Sequence, residues 1–337
     1  MTYQGFGRVI KGVGGLFTVR VFDTAAARKQ IAADYENAPL DGATVFARGR
    51  GGLHRKGALL VGDLVQITYD SGSFAEQNDE ITPAPDGAGI AIDRILERTC
   101  ALIRPPMANL NVLFVTIAAA TPDPILETVD KLIAIAEFNR IEPVIVITKS
   151  DLAPDTAASI AALYEGAGFS VFRTGEGQPD ADRALLAHIQ EQVSQTGKIA
   201  AFSGASGVGK STLLNRLFPN LHLETGDISR RIERGKNTTR HVELYPLSAA
   251  SDCGYLADTP GFTMLDFERF DFFEKDDLPL TFREFVPLIG SCRYTKCTHT
   301  KEQGCAIVEG VKDGTIAKSR HESFVSLFEI LKKKTKW

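Results

Sequence analysis

Short runs of alternating hydrophobic and polar residues fill the first hundred positions of the chain. Phe17, Val19 and Val21 alternate with polar neighbours, and Gly62-Asp63 separates two apolar runs. A period of two together with a tight glycine turn predicts short antiparallel strands, here including a hairpin around Gly62-Asp63. We therefore predict a small β-barrel over residues 1–104.

The pattern changes after Arg104-Pro105-Pro106. Strand-like apolar runs at 112–117, 144–147, 169–172, 199–202 and 255–257 alternate with helical patterns near 129–136, 157–167 and 181–193. Strands alternating with helices predict an α/β domain with a parallel sheet, which we place at 105–272. The alternation then stops, so 273–337 is predicted to be a third, small α-helical domain. It ends in an amphipathic helix whose apolar positions are Phe324, Leu327, Phe328 and Leu331.

Composition limits the possible classes of protein. The chain has 337 residues, of which 44% are hydrophobic and 24% charged, so it is long enough for several domains and too apolar for a disordered tail. The formal charge of -4 provides no overall positive field, so a polyanion must bind local basic patches. One such patch includes Arg48, Arg50, Arg55 and Lys56. No secretion signal or apolar run of membrane-spanning length is present, so we expect a soluble, cytoplasmic protein.

A phosphate-binding loop follows the predicted strand at 199–202. It consists of Gly204, Ala205, Ser206, Gly207, Val208, Gly209, Lys210, Ser211 and Thr212, and matches GxxxxGK[ST]. Between a strand and a helix, such a loop turns backbone N–H groups and a helix N-terminus toward phosphates. We expect Lys210 to contact the β- and γ-phosphates and act in catalysis, and Ser211 to ligate Mg²⁺.

A second motif indicates which base is bound. Thr148-Lys149-Ser150-Asp151 is similar to the NKxD element of GTPases. The Asp151 carboxylate can accept hydrogen bonds from N1–H and the amine of guanine, whereas N1 of adenine is itself an acceptor. Thr148 stands where the element has Asn, so it keeps a hydroxyl but lacks the amide that ties this segment to the phosphate loop. That departure leaves a P-loop ATPase or a small-molecule kinase as an alternative.

Two further elements complete a GTPase motif set. Asp258-Thr259-Pro260-Gly261 matches DxxG, in which the Asp holds Mg²⁺ through water and the Gly N–H senses the γ-phosphate. Thr238 and Thr239 lie where a switch threonine closes over Mg²⁺, and 170–177 can form the loop beside guanine. The order is rotated, because the base motif precedes the phosphate loop. Such a permutation is possible since all these loops lie at the carboxyl edge of one sheet.

A cluster of cysteines near the carboxyl end indicates a metal site. Cys292, Cys297, His299 and Cys305 have the spacing C-x4-C-x-H-x5-C. Three thiolates and one imidazole complete the tetrahedral coordination of Zn²⁺, so we expect one structural zinc ion.

Together these motifs resemble one family, the circularly permuted, ribosome small-subunit-dependent GTPases (RsgA/YjeQ-like). The resemblance covers nearly the whole chain and is carried by GASGVGKS, DTPGF and CTHTKEQGC. It implies an OB-fold, a permuted GTPase domain and a zinc domain. It also implies a monomer that binds the small (30S) subunit and its 16S rRNA late in assembly, hydrolyses GTP to GDP with stimulation by the subunit, and then dissociates. Neither DNA nor a membrane is an expected partner.

Phe262 bears on how GTP would be hydrolysed. It follows Gly261 where many small GTPases have the glutamine that orients water, and a phenyl ring cannot make that hydrogen bond. Intrinsic turnover should be at or below about 5 × 10⁻⁴ s⁻¹, the scale of an unassisted small GTPase. The basic cluster Arg230, Arg231, Arg234, Lys236 and Arg240 is interpreted as an rRNA contact. An RNA-binding scaffold that holds nucleotide without turnover remains a second alternative.

Overall fold

The computed structural model describes most of the chain and divides it into two compact units. One unit contains the described residues within Met1–Asn111, Ile189–Ala201 and Ile232–Pro260, and the other those within Val112–His188, Phe202–Arg231 and Gly261–Trp337. The described residues are 2–22, 40–51, 53, 58–77, 80–83, 89–103, 105–194, 197–219, 242–248, 254–258 and 273–333.

Nine strands form the amino-terminal part of the first unit. They are β1 (Thr2–Val13), β2 (Leu16–Val21), β3 (Thr44–Gly49), β4 (Leu64–Asp70), β5 (Phe74–Gln77), β6 (Glu80–Pro83), β7 (Ala91–Ile95), β8 (Ala101–Leu102) and β9 (Met107–Ala108). Five of them close a barrel in the order β1-β2-β3-β7-β4, with β4 returning to β1. Only β3 and β7 pair in parallel within the barrel. This arrangement confirms the predicted barrel.

The barrel is filled by the inward positions of the alternating strands. Val19, Val21, Val45, Val65 and Ile67 are all buried to within 1% of complete burial. Because successive side chains of a strand point to opposite faces, the period of two in the sequence becomes one buried and one exposed face.

The predicted hairpin around Gly62 is wrong, because residues 58–60 form no strand. Gly62 has φ +94°, and a Cβ there would lie 2.0 Å from the carbonyl oxygen of Ala108. Asp63 is fully buried; it accepts the Leu60 N–H at 2.8 Å and pairs with Arg98 at 2.6 Å. These contacts hold a turn in which Val61 forms only an isolated bridge.

The remaining elements follow in chain order. They are β10 (Leu110–Ala118), α1 (Leu126–Phe138), β11 (Glu142–Thr148), α2 (Pro154–Gly166), β12 (Ser170–Arg173), α3 (Pro179–Ile189), a π-turn (Gln190–Ser194), β13 (Ile199–Ser203), α4 (Lys210–Leu217), β14 (Glu243–Pro246), β15 (Tyr255–Asp258), 3₁₀ turns at Leu278–Thr281 and Val286–Leu288, α5 (Ala306–Lys312) and α6 (Lys318–Lys333). Every strand predicted beyond residue 105 is present to within two residues at each end. None of the described helices is long and apolar enough to cross a membrane.

Strand pairing follows the α/β prediction. In the second unit β10, β11 and β12 are parallel, and residues 143–148 of β11 are all buried, as expected for a strand covered on both faces. In the first unit β13 pairs in parallel with β15, and β14 lies antiparallel between β15 and β1.

The carboxyl-terminal segment packs on α1 and α2 within the second unit. The four apolar positions predicted for α6 are buried. Arg320 of α6 is 1% exposed; it pairs with Asp130 of α1 at 2.5 Å and with Glu284 at 2.7 Å, and its guanidinium lies 4.5 Å from the Phe282 ring centroid. A buried charge needs such partners, so these contacts fix where the segment docks.

Candidate functional site

The phosphate loop leaves β13 and enters α4, and its glycines meet specific steric demands. Gly204 has φ +151°, and a Cβ there would lie 2.2 Å from the main-chain oxygen of Thr116 on β10. Gly207 and Gly209 also have positive φ, at +79° and +92°. A residue with a side chain would be strained at each of these positions, so the loop requires glycine. Its Val208 side chain is buried and anchors the loop to the unit.

Lys210 begins α4 and turns its side chain back across the loop. Its ammonium donates hydrogen bonds to the main-chain oxygens of Gly204, at 2.7 Å, and Ala205, at 2.9 Å. Burial lowers the pKa of Lys210 to about 8. Ser206, Gly207, Ser211 and Thr212 are exposed on the same loop and first helical turn. The loop therefore presents one partly buried cation and exposed polar groups, which suits an anionic ligand.

The base motif at the end of β11 touches the phosphate loop directly. The Thr148 hydroxyl donates to the carbonyl oxygen of Val208, and the Lys149 ammonium donates to that of Gly207 at 2.9 Å. Lys149 also donates to the main-chain oxygen of Thr121. The expected loss of the tie between base motif and phosphate loop is therefore wrong. The Thr148 side chain is only 4% exposed. Because it is packed against the phosphate loop, its hydroxyl reaches a loop carbonyl oxygen, and no side-chain amide is needed for the contact.

Asp151 is oriented by the loop that follows β12. Its Oδ1 atom accepts a hydrogen bond from the Glu176 N–H at 3.0 Å. A Cβ on Gly175 would lie 2.4 Å from the same oxygen, so the missing side chain leaves room for the carboxylate. The Ser150 hydroxyl lies 2.9 Å from both the main-chain oxygen of Thr174 and Oε1 of Gln178. Residues 174–178 thus form a loop beside the Asp151 carboxylate, whereas 170–173 of the predicted loop belong to β12.

The structure describes only some of the other residues predicted for the nucleotide site. Asp258 ends β15, while its side chain lies outside what the structure describes. Thr238, Thr239, Gly261 and the basic cluster at 230–240 also lie outside the described residues. Thr148, Lys149, Asp151 and residues 204–212 belong to one compact unit.

The four predicted metal ligands converge in the carboxyl-terminal segment. The ligand atoms of Cys292, Cys297, His299 and Cys305 lie within 4.8 Å of one another. Nδ1 of His299 is 3.5 Å from Sγ of both Cys292 and Cys305. Burial lowers the pKa of His299, which favours the neutral imidazole that binds metals. Three sulfurs and one nitrogen at this spacing fit a tetrahedral zinc ion.

Polar contacts of the main chain stabilise this cluster. The Ala306 N–H donates to Sγ of Cys292 at 3.4 Å. Glu302 accepts hydrogen bonds from the Thr298 hydroxyl and from the N–H groups of Thr298, Thr300 and Lys301. Burial raises the pKa of Glu302, but these bonds outweigh it and bring the pKa to about 2. The carboxylate therefore holds the loop around His299. The cysteine spacing gave no sign of this support.

Comparison with known proteins places the chain in a family. The family model described as RsgA GTPase matches residues 95–268. The small ribosomal subunit biogenesis GTPase RsgA of Alkaliphilus metalliredigens is 34% identical over 333 residues, which is 98% of this chain and 99% of the relative. The chain belongs to the RsgA GTPase family. The RsgA match covers the base motif, the phosphate loop and DxxG together.

Solved structures agree with this assignment. YloQ, described as a circularly permuted GTPase, is 29% identical, with a TM-score of 0.68 over 99% of this chain and 98% of that one. YjeQ from Thermotoga maritima is 25% identical, with a TM-score of 0.72 over 99% and 100%. The chain is a GTP-hydrolysing enzyme with the barrel, the permuted GTPase fold and the cysteine cluster that its sequence predicted. RsgA membership sets aside the ATPase, kinase and scaffold alternatives.

Proposed function

We propose that this chain is a GTPase of late small-subunit assembly. In its GTP-bound form the protein binds the 30S subunit and its 16S rRNA. It hydrolyses GTP to GDP and phosphate when the subunit stimulates it, and it then dissociates from the subunit. It acts as a monomer in the cytoplasm. The relatives' name supports the ribosomal role. The observation that carries the GTP site is the direct contact of the 148–151 segment with the phosphate loop.

Each predicted site residue has a role in this proposal. Asp151 pairs with guanine, while Lys210 and the N–H groups of 204–212 bind the phosphates. Thr238, Thr239 and Gly261 are assigned to the γ-phosphate. Ser211 and Asp258 hold Mg²⁺, which neutralises phosphate charge when bound; the exposed Ser211 hydroxyl in the first turn of α4 suits that ligand role.

Hydrolysis breaks one bond of the triphosphate. A water oxygen bonds to the γ-phosphorus, the bond to the bridging oxygen breaks, and GDP leaves with the electron pair. The attacking water keeps one hydrogen as the hydroxyl of the released phosphate and loses the other proton to solvent. Lys210 and the loop N–H groups stabilise the negative charge that develops there. Phe262 cannot orient the water, so the bound subunit supplies that ordering.

Exposed cations support an RNA-binding surface on two parts of the chain. Arg48 is exposed on β3 of the barrel. Beside the cysteine cluster, the Arg293 guanidinium lies 5.6 Å from the centroid of the exposed Tyr294 ring, with Lys296 and Lys301 also exposed. Cations bind phosphates and an exposed aromatic ring can stack on a base, so both surfaces suit rRNA.

We further propose that the cysteine cluster holds one structural Zn²⁺. Its four protein ligands leave no position for a substrate, so the ion stabilises the fold. Elemental analysis of the purified protein should find one zinc per chain. A double change of Cys292 and Cys305 to Ala should leave none and destabilise the carboxyl-terminal segment; retained zinc would contradict the assignment.

Turnover with ribosomal subunits tests the ribosomal role. GTP hydrolysis should rise strongly with purified small subunits and not with large subunits. The stimulation should weaken steeply as salt rises. A protein that makes several phosphate contacts loses roughly 10³- to 10⁵-fold in affinity for nucleic acid between 50 and 200 mM salt. Lys210→Ala should abolish hydrolysis in a folded protein. Equal turnover with and without small subunits would refute the proposal.

A further inference from the structure

Two buried hydroxyls flank Lys149 and contact two different loops. Thr148 is 4% exposed and contacts the phosphate loop, and Ser150 is 5% exposed and contacts the loop at 174–178. We propose that these hydroxyls are two separable positioning groups, Thr148 for the phosphates and Ser150 for the base. This inference rests on the proposed role of Asp151 in binding guanine.

The base motif holds two peptide planes of the phosphate loop, and Thr148 holds one of them. Its hydroxyl holds the carbonyl of Val208, and Lys149 holds that of Gly207. In a trans peptide the C=O and the following N–H point in opposite directions. The N–H groups of Val208 and Gly209 are therefore turned away from the base motif, toward the face of the loop left open to an anion. Thr148 fixes the second of these planes.

Ser150 acts on the base end through the 174–178 loop. Its N–H and hydroxyl both reach the main-chain oxygen of Thr174, at 3.1 and 2.9 Å. The hydroxyl also contacts Gln178. Two residues further along, the Glu176 N–H donates to Asp151. Ser150 thus holds the loop that orients the carboxylate, and it makes no described contact with the phosphate loop.

This division predicts different losses for the two residues. Thr148→Val keeps the shape but removes the donor, so it should weaken every ligand that carries the triphosphate. Ser150→Ala removes the hydroxyl contacts with the 174–178 loop. It should therefore weaken only ligands whose base donates both of its hydrogen bonds to Asp151. A single hydrogen bond of this kind corresponds to about a ten-fold change in Kd.

Equilibrium binding of three probes separates the two roles. GTP carries the guanine amine, ITP lacks it, and inorganic triphosphate has no base. Thr148→Val should raise Kd about ten-fold for all three, leaving the GTP to ITP ratio unchanged. Ser150→Ala should raise the Kd for GTP about ten-fold relative to the Kd for ITP and leave the Kd for inorganic triphosphate unchanged.

Conservative variants keep the test decisive if a change disturbs folding. Thr148→Ser retains the hydroxyl and should bind all probes like the unaltered protein. The inference is overturned if Thr148→Val matches Thr148→Ser, or if both hydroxyl deletions change the three Kd values in the same proportion. Failure of the unaltered protein to prefer GTP over ITP would instead refute the proposed guanine site.

Discussion

Burial gives Lys210 an unusual acid strength for a lysine. Its pKa is lowered to about 8, because the ammonium is partly removed from water beside the loop carbonyls. Bound phosphates supply negative charge and favour the protonated form. Lys210 should therefore take up a proton when nucleotide binds at alkaline pH.

Calorimetry can measure this proton uptake. At pH 8.5 Lys210 should take up roughly half a proton or more when GTP binds, and at pH 6.5 almost none, because the lysine is then already protonated. GTP affinity should fall as pH rises through about 8. Titrations in two buffers of different ionisation enthalpy give the proton number. No uptake at either pH would show that Lys210 keeps an ordinary pKa.

Gly175 predicts a sharp local effect on base recognition. A methyl group there would lie 2.4 Å from Oδ1 and 3.0 Å from the main-chain nitrogen of Asp151. Gly175→Ala should displace the carboxylate and raise the Kd for GTP about ten-fold or more, with a smaller effect on ITP. Gly166→Ala, which meets no atom within 4 Å at the end of α2, is the matched control. Similar GTP affinities for the two variants would contradict this role of Gly175.

Thr148 shows what a motif can and cannot predict about one side chain. The sequence identifies the position and the departure from Asn, and it predicts a hydroxyl in place of an amide. It does not reveal the distance from that hydroxyl to the Val208 carbonyl, which depends on how β11 and the phosphate loop pack. The function of the position is therefore retained by a different donor.

The docking of α6 against α1 depends on Arg320. Replacing it with Met would leave the carboxylates of Asp130 and Glu284 buried without their cation. Arg320→Met should lower the free energy of unfolding by about 3–5 kcal/mol, measured by urea denaturation. Lys318→Met removes an exposed cation from the same helix and should change it by less than about 0.5 kcal/mol. Equal effects of the two changes would contradict the buried network.

The strands and helices were predictable to different degrees. Residues 144–147 of β11 are β-branched and continuous, and α6 has four apolar residues at helical spacing, so both elements were predicted from local pattern. The run at 58–61 has the same apolar character but forms no strand. Its conformation depends on buried Asp63 and on the approach of Gly62 to Ala108, which are distant contacts that local pattern does not encode.

The motifs lie in an unusual order along the whole chain, because the base motif precedes the phosphate loop. The base motif, phosphate loop and cysteine cluster were predictable because each has a fixed residue spacing tied to its chemistry. The docking of the carboxyl-terminal segment was not, since Arg283 and Arg320 contact residues more than a hundred positions away without any spacing rule. Arg283, for example, pairs with Glu137 at 2.6 Å and Glu142 at 2.9 Å.

Exchange of the base tests most directly whether Asp151 and Lys210 bind one guanosine triphosphate. Xanthine has a carbonyl where guanine has its amine, so an Asn side chain at 151 would pair with xanthine through its own NH₂ group. Asp151→Asn should bind XTP more tightly than GTP, reversing the preference of the unaltered protein, and adding Lys210→Ala should abolish binding of both. Unchanged GTP affinity in Asp151→Asn, with no gain for XTP, would contradict the shared site.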